Sequence, residues 1–357
     1  MIRNHMRTIR FGLVGTGRIT DWVLRGAVLD PRFRAEAVCS RTEEAARRFA
    51  EGHGIPRIFT DVDAMAADPD IDAVYIGTPN HTHHDLAIRC MRHGKHVLCE
   101  KPLASNAREA AGMAQAAREN GVLLMEAMIS TLTPNFLRAR QALGELGALR
   151  RYSAFFCQYS SKYDLLRQIL AGTSDAPVPS SFNPSCAGGA LMDVGIYTLY
   201  PMVALLGEPQ QVRAAVQTCL VPTASGPMRI DLQGSAVCSY DGLEATASWS
   251  KTADSRLATE LSCEKGILLL DQIHITRSVS LVRRGAPTSG RTGGPAAEDI
   301  SVPVDADEYL CEFREFIDTL EQGRTESARN SLQVSVSCLR VMDAIRAQAG
   351  VVFPADA

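Results

Sequence analysis

Arg10-Phe11-Gly12-Leu13-Val14-Gly15-Thr16-Gly17-Arg18-Ile19-Thr20 decides the fold. The first five residues form a short apolar strand, and Trp22, Val23 and Ala27 continue beyond the turn with helical spacing. Between them stands a G-x-G turn. Gly15 permits the tight bend, and Gly17 lets the backbone approach a pyrophosphate at the helix N-terminus. The third glycine of the dinucleotide fingerprint is replaced by Thr20. The strand–turn–helix setting is what gives the two remaining glycines their meaning.

Outward from this turn, strands and helices keep alternating. Ala35–Cys39 reads as a second strand, followed by Ser40-Arg41-Thr42 and a helix from Glu43 to Glu51. An acidic residue at that strand end accepts the ribose 2′-hydroxyl of NAD, whereas a hydroxyl and a guanidinium suit a 2′-phosphate. Ser40 and Arg41 therefore favour NADP. Arg41 could also cap a solvated helix start, leaving Glu43 for a ribose. Ile71–Ile76 is a buried strand ending in Gly77-Thr78-Pro79-Asn80, with His81-Thr82-His83-His84 opening the next helix.

His96-Val97-Leu98-Cys99-Glu100-Lys101-Pro102-Leu103 follows, a strand running directly into an acid, a lysine and a proline. In an open α/β sheet ligands bind beyond the carboxyl ends of the strands. Proline fixes its own φ and restricts its neighbour, so Lys101 is held at that crevice. An Ala-rich helix over 107–120, capped by Gly121, and a strand over 122–125 complete a doubly wound parallel sheet.

After about residue 130 the texture changes. A helix over 134–143 leads to strand-like runs at 149–159, 211–221, 234–240, 243–250, 256–263, 266–270 and 274–282, with few helices between them. This predicts an α+β domain on a large, mostly antiparallel open sheet. The domains expected are 1–128 and 129–357, with amphipathic helices at 308–322 and 331–348, the latter packing back near the first domain. The run 285–297, rich in Gly, Pro and Thr, reads as an exposed loop. Gly188-Gly189-Ala190-Leu191-Met192-Asp193-Val194-Gly195-Ile196-Tyr197 opens an apolar helix. Asp193 and Tyr197, four apart, share one of its faces. A carboxylate in so apolar a helix needs a partner, and Lys101 is the candidate.

Bulk composition narrows the partners. The 357 residues are 46% apolar and 22% charged with a net charge of −3, which argues against nucleic acid or an anionic membrane. The ten cysteines are scattered singly, as in a reduced, cytoplasmic protein. Met1–Arg10 lacks an apolar signal core, and the longest apolar stretch, 188–207, is interrupted by Asp193 and Pro201. No signal peptide, membrane span or metal is expected. A metal-dependent hydrolase built on His81 and His83 lacks a further ligand cluster.

Taken together, Gly15-Thr16-Gly17, Glu100-Lys101-Pro102 and the Gly188–Tyr197 motif resemble the glucose–fructose oxidoreductase/inositol dehydrogenase (Gfo/Idh/MocA) family over nearly the whole chain. Tyr197, where many members have His, and Val352-Phe353-Pro354 are similar to the branch with dimeric dihydrodiol dehydrogenase and NADP-xylose dehydrogenases. The resemblance implies an NAD(P)-dependent oxidoreductase, NADP favoured, passing a hydride between nicotinamide and an alcohol or carbonyl carbon of a sugar, polyol or diol. It implies Lys101, Tyr197 and Asp193 as the catalytic set. Cofactor contacts are expected from Gly15, Thr16, Gly17, Arg18, Ile19, Ser40, Arg41, Thr78, Pro79, Asn80, His83, Glu100 and Lys101.

A phenol with an ordinary pKa near 10 becomes an easier proton donor and acceptor beside an ammonium. Whether Tyr197 or Lys101 moves the proton stays open, because the two titrate as a pair. The resemblance also implies a homodimer or homotetramer. Ile129 and Thr131 stand where such relatives often carry Trp or Arg, which argues against an aromatic diol or an anionic substrate. Gln158–Tyr163 is a polar, aromatic stretch with the composition of a sugar-pocket lining. The alternatives are a sugar or sugar-nucleotide ketoreductase on the same scaffold, or a dinucleotide-binding regulator without catalysis. A regulator has no use for the Lys101, Asp193 and Tyr197 set.

Overall fold

A computed structural model describes residues 8–285 and 296–357. The chain divides into two compact units. One comprises the chain up to Ile129 together with Asp305–Val336, the other Ser130–Val304 with Ser337–Ala357.

In the first unit, β1 (Ile9–Val14), α1 (Arg18–Ala27), β2 (Phe33–Cys39), α2 (Glu43–His53), β3 (Arg57–Phe59) and α3 (Val62–Ala66) form one half. The other half is β4 (Ala73–Ile76), α4 (His83–Arg92), β5 (His96–Glu100), α5 (Ala107–Asn120) and β6 (Leu124–Ala127). The strands lie in the order β3-β2-β1-β4-β5-β6, all parallel, as the alternating pattern predicts. Sheets covered on both faces need continuous apolar strands, and every residue of β4 is buried. Helix ends follow local chemistry. Thr42 and Asn106 cap α2 and α5 through their side chains, and Gly54 and Gly121 end them in the left-handed conformation.

The second unit contains α6 (Pro134–Leu143), β7 (Leu149–Cys157), α7 (Tyr163–Leu170), α8 (Ile196–Leu206) and β8 (Gln211–Val221). It continues with β9 (Met228–Tyr240), β10 (Leu243–Ser250), β11 (Thr259–Cys263), β12 (Gly266–Leu270), β13 (Val279–Arg283) and β14 (Glu298–Asp299). Their order is β14-β13-β12-β11-β7-β10-β9-β8. Among the described residues only β7 and β10 of this sheet pair in parallel; a long excursion through helices and a hairpin separates them, as a parallel pair requires. Residues 163–170, without a sequence expectation, form the amphipathic α7. The strand expected over 274–282 starts only at Val279, because Asp271 folds the preceding segment into a turn by accepting from the Arg277 and Ser278 amides. Most of the run 285–297 lies outside the described residues. The apolar helical run Pro184–Leu206, mean hydropathy 1.5, is largely buried inside this unit.

The last helices are α9 (Leu310–Glu321) and α10 (Leu332–Ala349). A single cut at 128/129 is corrected here, since 305–336 belong with the first unit and the division runs through α10. The reason is an aromatic core. Phe313 and Phe316 of α9 close on Phe11 at 5.6 and 5.7 Å, Phe33 packs on Phe11 at 4.9 Å, and Tyr75 lies 6.0 Å from Phe313. Gly26 of α1 makes room for this, because a Cβ there would lie 2.6 Å from the Leu310 amide.

Glu100, Glu126 and Glu312 are among the carboxyls buried in this unit. Glu126 accepts from the Leu103 amide at 2.9 Å, and burial pushes its pKa up to about 7. A carboxyl neutral in the fold but ionised when unfolded makes the native state hold more protons between about pH 4.5 and 7. Stability therefore falls as pH rises through that window, by on the order of 3 kcal/mol from this group. Glu126→Gln is expected to flatten the slope, measured by urea denaturation between pH 5 and 8; an unchanged slope refutes the assignment.

Candidate active site

The carboxyl ends of β1, β2, β4 and β5 gather the residues expected to hold a cofactor. Gly15, at φ 106°, occupies the left-handed region, and a Cβ there would collide with the Gly77 carbonyl. The Gly15 amide donates to the Cys39 carbonyl at 3.0 Å, and the Gly77 amide to the Val14 carbonyl at 2.9 Å. Gly17 begins α1 without any side-chain cap, and a Cβ there would meet nothing within 4 Å. A bare helix N-terminus facing open space fits a pyrophosphate.

Thr20 is the exception to the fingerprint, and Gly77 explains it. Thr20 is fully buried, and a Cβ on Gly77 would lie 2.8 Å from its Oγ1 and 2.8 Å from the Tyr75 ring. The close packing normally granted by a third glycine in the helix is here granted by a glycine on the neighbouring strand.

Thr16 Oγ1 lies 3.4 Å from Ser40 Oγ, linking the turn to the end of β2, with Arg41 exposed beside it. Arg18 stacks over Trp22 at 4.9 Å, and Ile19 is half-buried behind it. A cavity of about 330 Å³ opens here, lined by Thr16, Gly17, Arg18, Arg48, Phe49 and His53. The turn, the uncapped helix start and the hydroxyl–guanidinium pair together fit a nicotinamide dinucleotide.

At the β4 and β5 ends, Thr78 bonds Thr82 at 2.7 Å, Pro79 is exposed and Asn80 half-buried. His83 is buried, with Nδ1 2.9 Å from the Pro102 carbonyl and Nε2 2.9 Å from the Thr78 carbonyl. Its ring braces the loops after β4 and β5 against each other, so both nitrogens are engaged by the protein itself. Burial holds its pKa below the ordinary value, against the pull of the two carbonyls. Among the described residues, no group of three or more His, Cys, Asp or Glu side chains could hold a metal.

Glu100 accepts a 2.8 Å hydrogen bond from the Tyr75 hydroxyl and a 3.2 Å bond from the Lys101 amide. Lys101 is half-buried and precedes Pro102 across a cis peptide. Burial raises the Glu100 pKa, opposed by the Lys101 charge and the Tyr75 hydroxyl. Glu312 of α9 is pushed well above the carboxylate range by burial and then by Glu100, and its Oε2 has no hydrogen-bond partner. Sequence patterning gave no sign of Glu312, which sits in an ordinary amphipathic helix.

Asp193 and Tyr197 belong to the second unit. Leu191–Gly195 form a single π-helical turn running into α8, where a plain α-helix is the sequence expectation. Such turns are wider than an α-turn and recur at functional sites. Gly189, at φ 113°, leaves space for the Asp231 carboxylate, which accepts from the Leu191 amide at 2.6 Å and from Trp249 Nε1 at 3.3 Å. Burial lifts the Asp231 pKa to about 6, opposed by the Leu191 amide and Trp249. Tyr197 lies edge-on to Phe156 at 5.4 Å and to His274 at 6.0 Å, and those two rings stack at 4.1 Å.

Within this unit Asp193 is paired with Lys251, a lysine that the sequence motifs do not single out. Its Nζ pairs with Asp193 Oδ2 and lies 4.4 Å from the Phe182 ring. Phe182 in turn meets Tyr163 at 6.2 Å, which ties the polar, aromatic stretch 158–163 to this group. Lys251 follows directly after the strand read at 243–250. A lysine ending a strand that contains a buried Trp249 is the signal that could have found it.

A glycine-turn dinucleotide cradle on a six-stranded parallel sheet, with a second unit carrying an acid and a phenol on an open mixed sheet, defines a two-domain nicotinamide-dependent oxidoreductase. Residues 9–128 match the oxidoreductase family with an NAD-binding Rossmann fold, and residues 136–269 match the GFO/IDH/MocA C-terminal domain. The chain belongs to the Gfo/Idh/MocA family, as the sequence motifs imply. It is an NAD(P)-dependent oxidoreductase acting on CH–OH groups.

It is 39% identical over 348 residues to scyllo-inositol 2-dehydrogenase (NADP(+)) of Bacillus subtilis, covering 98% of this chain and 99% of that one. It is 31% identical over 342 residues to D-xylose 1-dehydrogenase (NADP(+)) 2 of Haloferax volcanii, covering 94% and 95%. Levoglucosan dehydrogenase, solved with NADH and levoglucosan, shares the fold with a TM-score of 0.82 at 20% identity, over 96% and 98% of the two chains.

Gly77→Ala is expected to destabilise the protein by about 1–3 kcal/mol through overpacking. Thr20→Gly in the same chain recovers part of that loss, because it removes one of the two colliding groups. Urea denaturation of the four-member cycle measures the coupling; strict additivity overturns the reading.

Proposed function

We propose that the protein is an NADP-dependent dehydrogenase of a cyclic polyol, with Tyr197 and Lys101 sharing the proton and Asp193 holding a substrate hydroxyl. The observation that carries the cofactor choice is the Ser40–Arg41 pair at the end of β2, bonded through Thr16 to the glycine turn. The end-to-end likeness to an enzyme named for an inositol and NADP supports the substrate class. So does a partly exposed Asp193 carboxylate four residues from Tyr197, whose ring packs against Phe156, a combination that suits a ring bearing several hydroxyls.

When bound, the nicotinamide supplies the hydride chemistry. The chain supplies orientation and proton transfer. Tyr197 exchanges a proton with the substrate oxygen, and the Lys101 ammonium favours the phenolate and bonds that oxygen. Asp193 accepts from a neighbouring hydroxyl and so selects which carbon is presented. Glu100, Pro79, Asn80 and Thr78 would hold the nicotinamide end of the cofactor, and Arg18 and Ile19 its pyrophosphate. The oligomer is a homodimer formed through the open sheet; exposed Leu220 on β8 and Val237 on β9 support this. A cytoplasmic location accords with ten cysteines outside any disulfide.

Absorbance at the reduced-nicotinamide band, with inositols, aldoses and aromatic diols against NADP and NAD in parallel, tests the reading. NADPH formation from an inositol, at least about tenfold faster in kcat/KM than NADH formation, is expected. No reduction with any polyol, or a preference for NAD, overturns it. Arg41→Ala raises the KM for NADP about 10–100-fold, the worth of a charged hydrogen bond. Tyr197→Phe lowers kcat about 10²–10⁴-fold and leaves the Kd for NADPH unchanged; undiminished turnover removes Tyr197 from the mechanism.

A further inference from the structure

Lys251 is a charged side chain that no motif explains. The residue is 2% exposed, and its backbone is fixed where β10 ends, with its amide on the Leu232 carbonyl at 3.0 Å and its carbonyl accepting from Ser160 at 2.9 Å. Its ammonium has three neighbours: the Asp193 carboxylate, the Ser181 carbonyl at 3.4 Å and the face of Phe182 at 4.4 Å. A buried ammonium demands a carboxylate, since an unpaired charge is strongly disfavoured away from water. The pair is lopsided. The Lys251 side chain is 3% exposed, the Asp193 side chain 38%. The lysine is therefore the anchored member and the carboxylate the presented one.

A second carboxylate completes the support. Asp231, on the adjoining strand β9, holds the Leu191 amide at the start of the π turn, while Lys251 holds the carboxylate at its middle. Two neighbouring strands thus grip the Asp193 turn at two points, one through backbone and one through charge.

We propose that Lys251 is the positioning residue of the substrate half-site, fixing the direction of the Asp193 carboxylate and keeping it ionised for a substrate hydroxyl. The inference rests on the reading of Asp193 as a substrate-binding carboxylate. The charged and titratable groups on the elements packed against this turn are few. Strand β9 contributes Asp231, Arg229, Cys238 and Tyr240; Arg229 is bonded to Thr218, and burial raises the pKa of both the thiol and the phenol. Strand β10 and its end contribute Glu244 and Lys251, and β7 contributes Arg150 and Arg151, paired with Glu264 and Glu244, together with Tyr152 and Cys157, both raised in pKa by burial. Tyr197 follows on the same helix with His274 beside its ring. Within the unit Lys251 forms an ion pair with Asp193. An opposite charge at contact lowers a carboxyl pKa by about 1–3 units. Removing it moves the protonation of Asp193 toward neutral pH.

The test uses the full-length protein with NADP and the polyol it oxidises fastest, and reads kcat/KM against pH. Lys251→Met and Lys251→Gln are expected to raise the polyol KM about 10–100-fold. They also move the acid limb of the profile up by about 1–2 pH units, with the Kd for NADPH unchanged. Lys251→Arg restores the limb. The glutamine keeps a donor to Asp193 without the charge, so the reading survives a methionine variant that folds poorly. An unmoved acid limb in a folded glutamine variant overturns the proposal, as does a failure of arginine to restore it. Asp193→Asn separates the two levels. If that variant keeps wild-type KM and kcat, the substrate role of Asp193 falls and the proposal with it. If it is impaired while the glutamine variant is not, only the role of Lys251 falls.

Discussion

Two strands of the first unit meet at Gly15 and Gly77 with no space for a side chain between their backbones. Much at the carboxyl edge of the parallel sheet depends on that approach. It lets the β1 turn reach the Cys39 carbonyl and the Gly77 amide that hold it, leaves the start of α1 bare, and admits a threonine where a helix glycine is the usual solution. Close packing between a helix and a strand needs one small residue, and either partner can provide it. The same economy recurs at Gly26, where α1 meets the backbone of α9.

The second unit solves a different problem, that of presenting a carboxylate from an apolar helix. The helix start is widened into a π turn and secured from the sheet behind it. Asp231 replaces the missing cap of the helix by accepting its Leu191 amide, and Trp249 fills the space that Gly195 leaves, 3.0 Å from where a Cβ would stand. The glycines of this motif are thus occupied by protein groups: the carboxylate of Asp231 at Gly189 and an indole at Gly195. Buried polar groups of this kind favour one arrangement because each alternative leaves a charge unpaired.

The parallel sheet was legible because its signals are local. A strand, a glycine turn and an amphipathic helix each announce themselves within a dozen residues, and β10 and β12 fall on the residues read for them. The glycine turn and the Glu100–Pro102 strand end were legible for the same reason. What escaped lies in contacts between distant segments. Lys251 is 58 residues from Asp193, and its meaning comes only from the parallel pairing of β7 with β10 and the adjoining β9. Glu312 reads as the polar side of a helix until that helix is seen to bury it. That the His83 ring also bridges the Pro102 and Thr78 carbonyls is visible only in the fold. The π turn leaves no mark on periodicity at all.

The aromatic core closed by α9 bears on how such chains arise and are taken apart. Phe11 and Phe33 find their cover in residues nearly 300 positions later, so the first unit is not a contiguous stretch of sequence. A gene fragment ending after β6 encodes a sheet with one face stripped of Phe313 and Phe316, a sticky surface rather than a folded module. Exchange of substrate units between relatives therefore demands three crossover points, before residue 130, near residue 304 and after Val336. In recombination terms, the second unit is a long insert in the first, and only its short tail after Val336 lies beyond the closing helix.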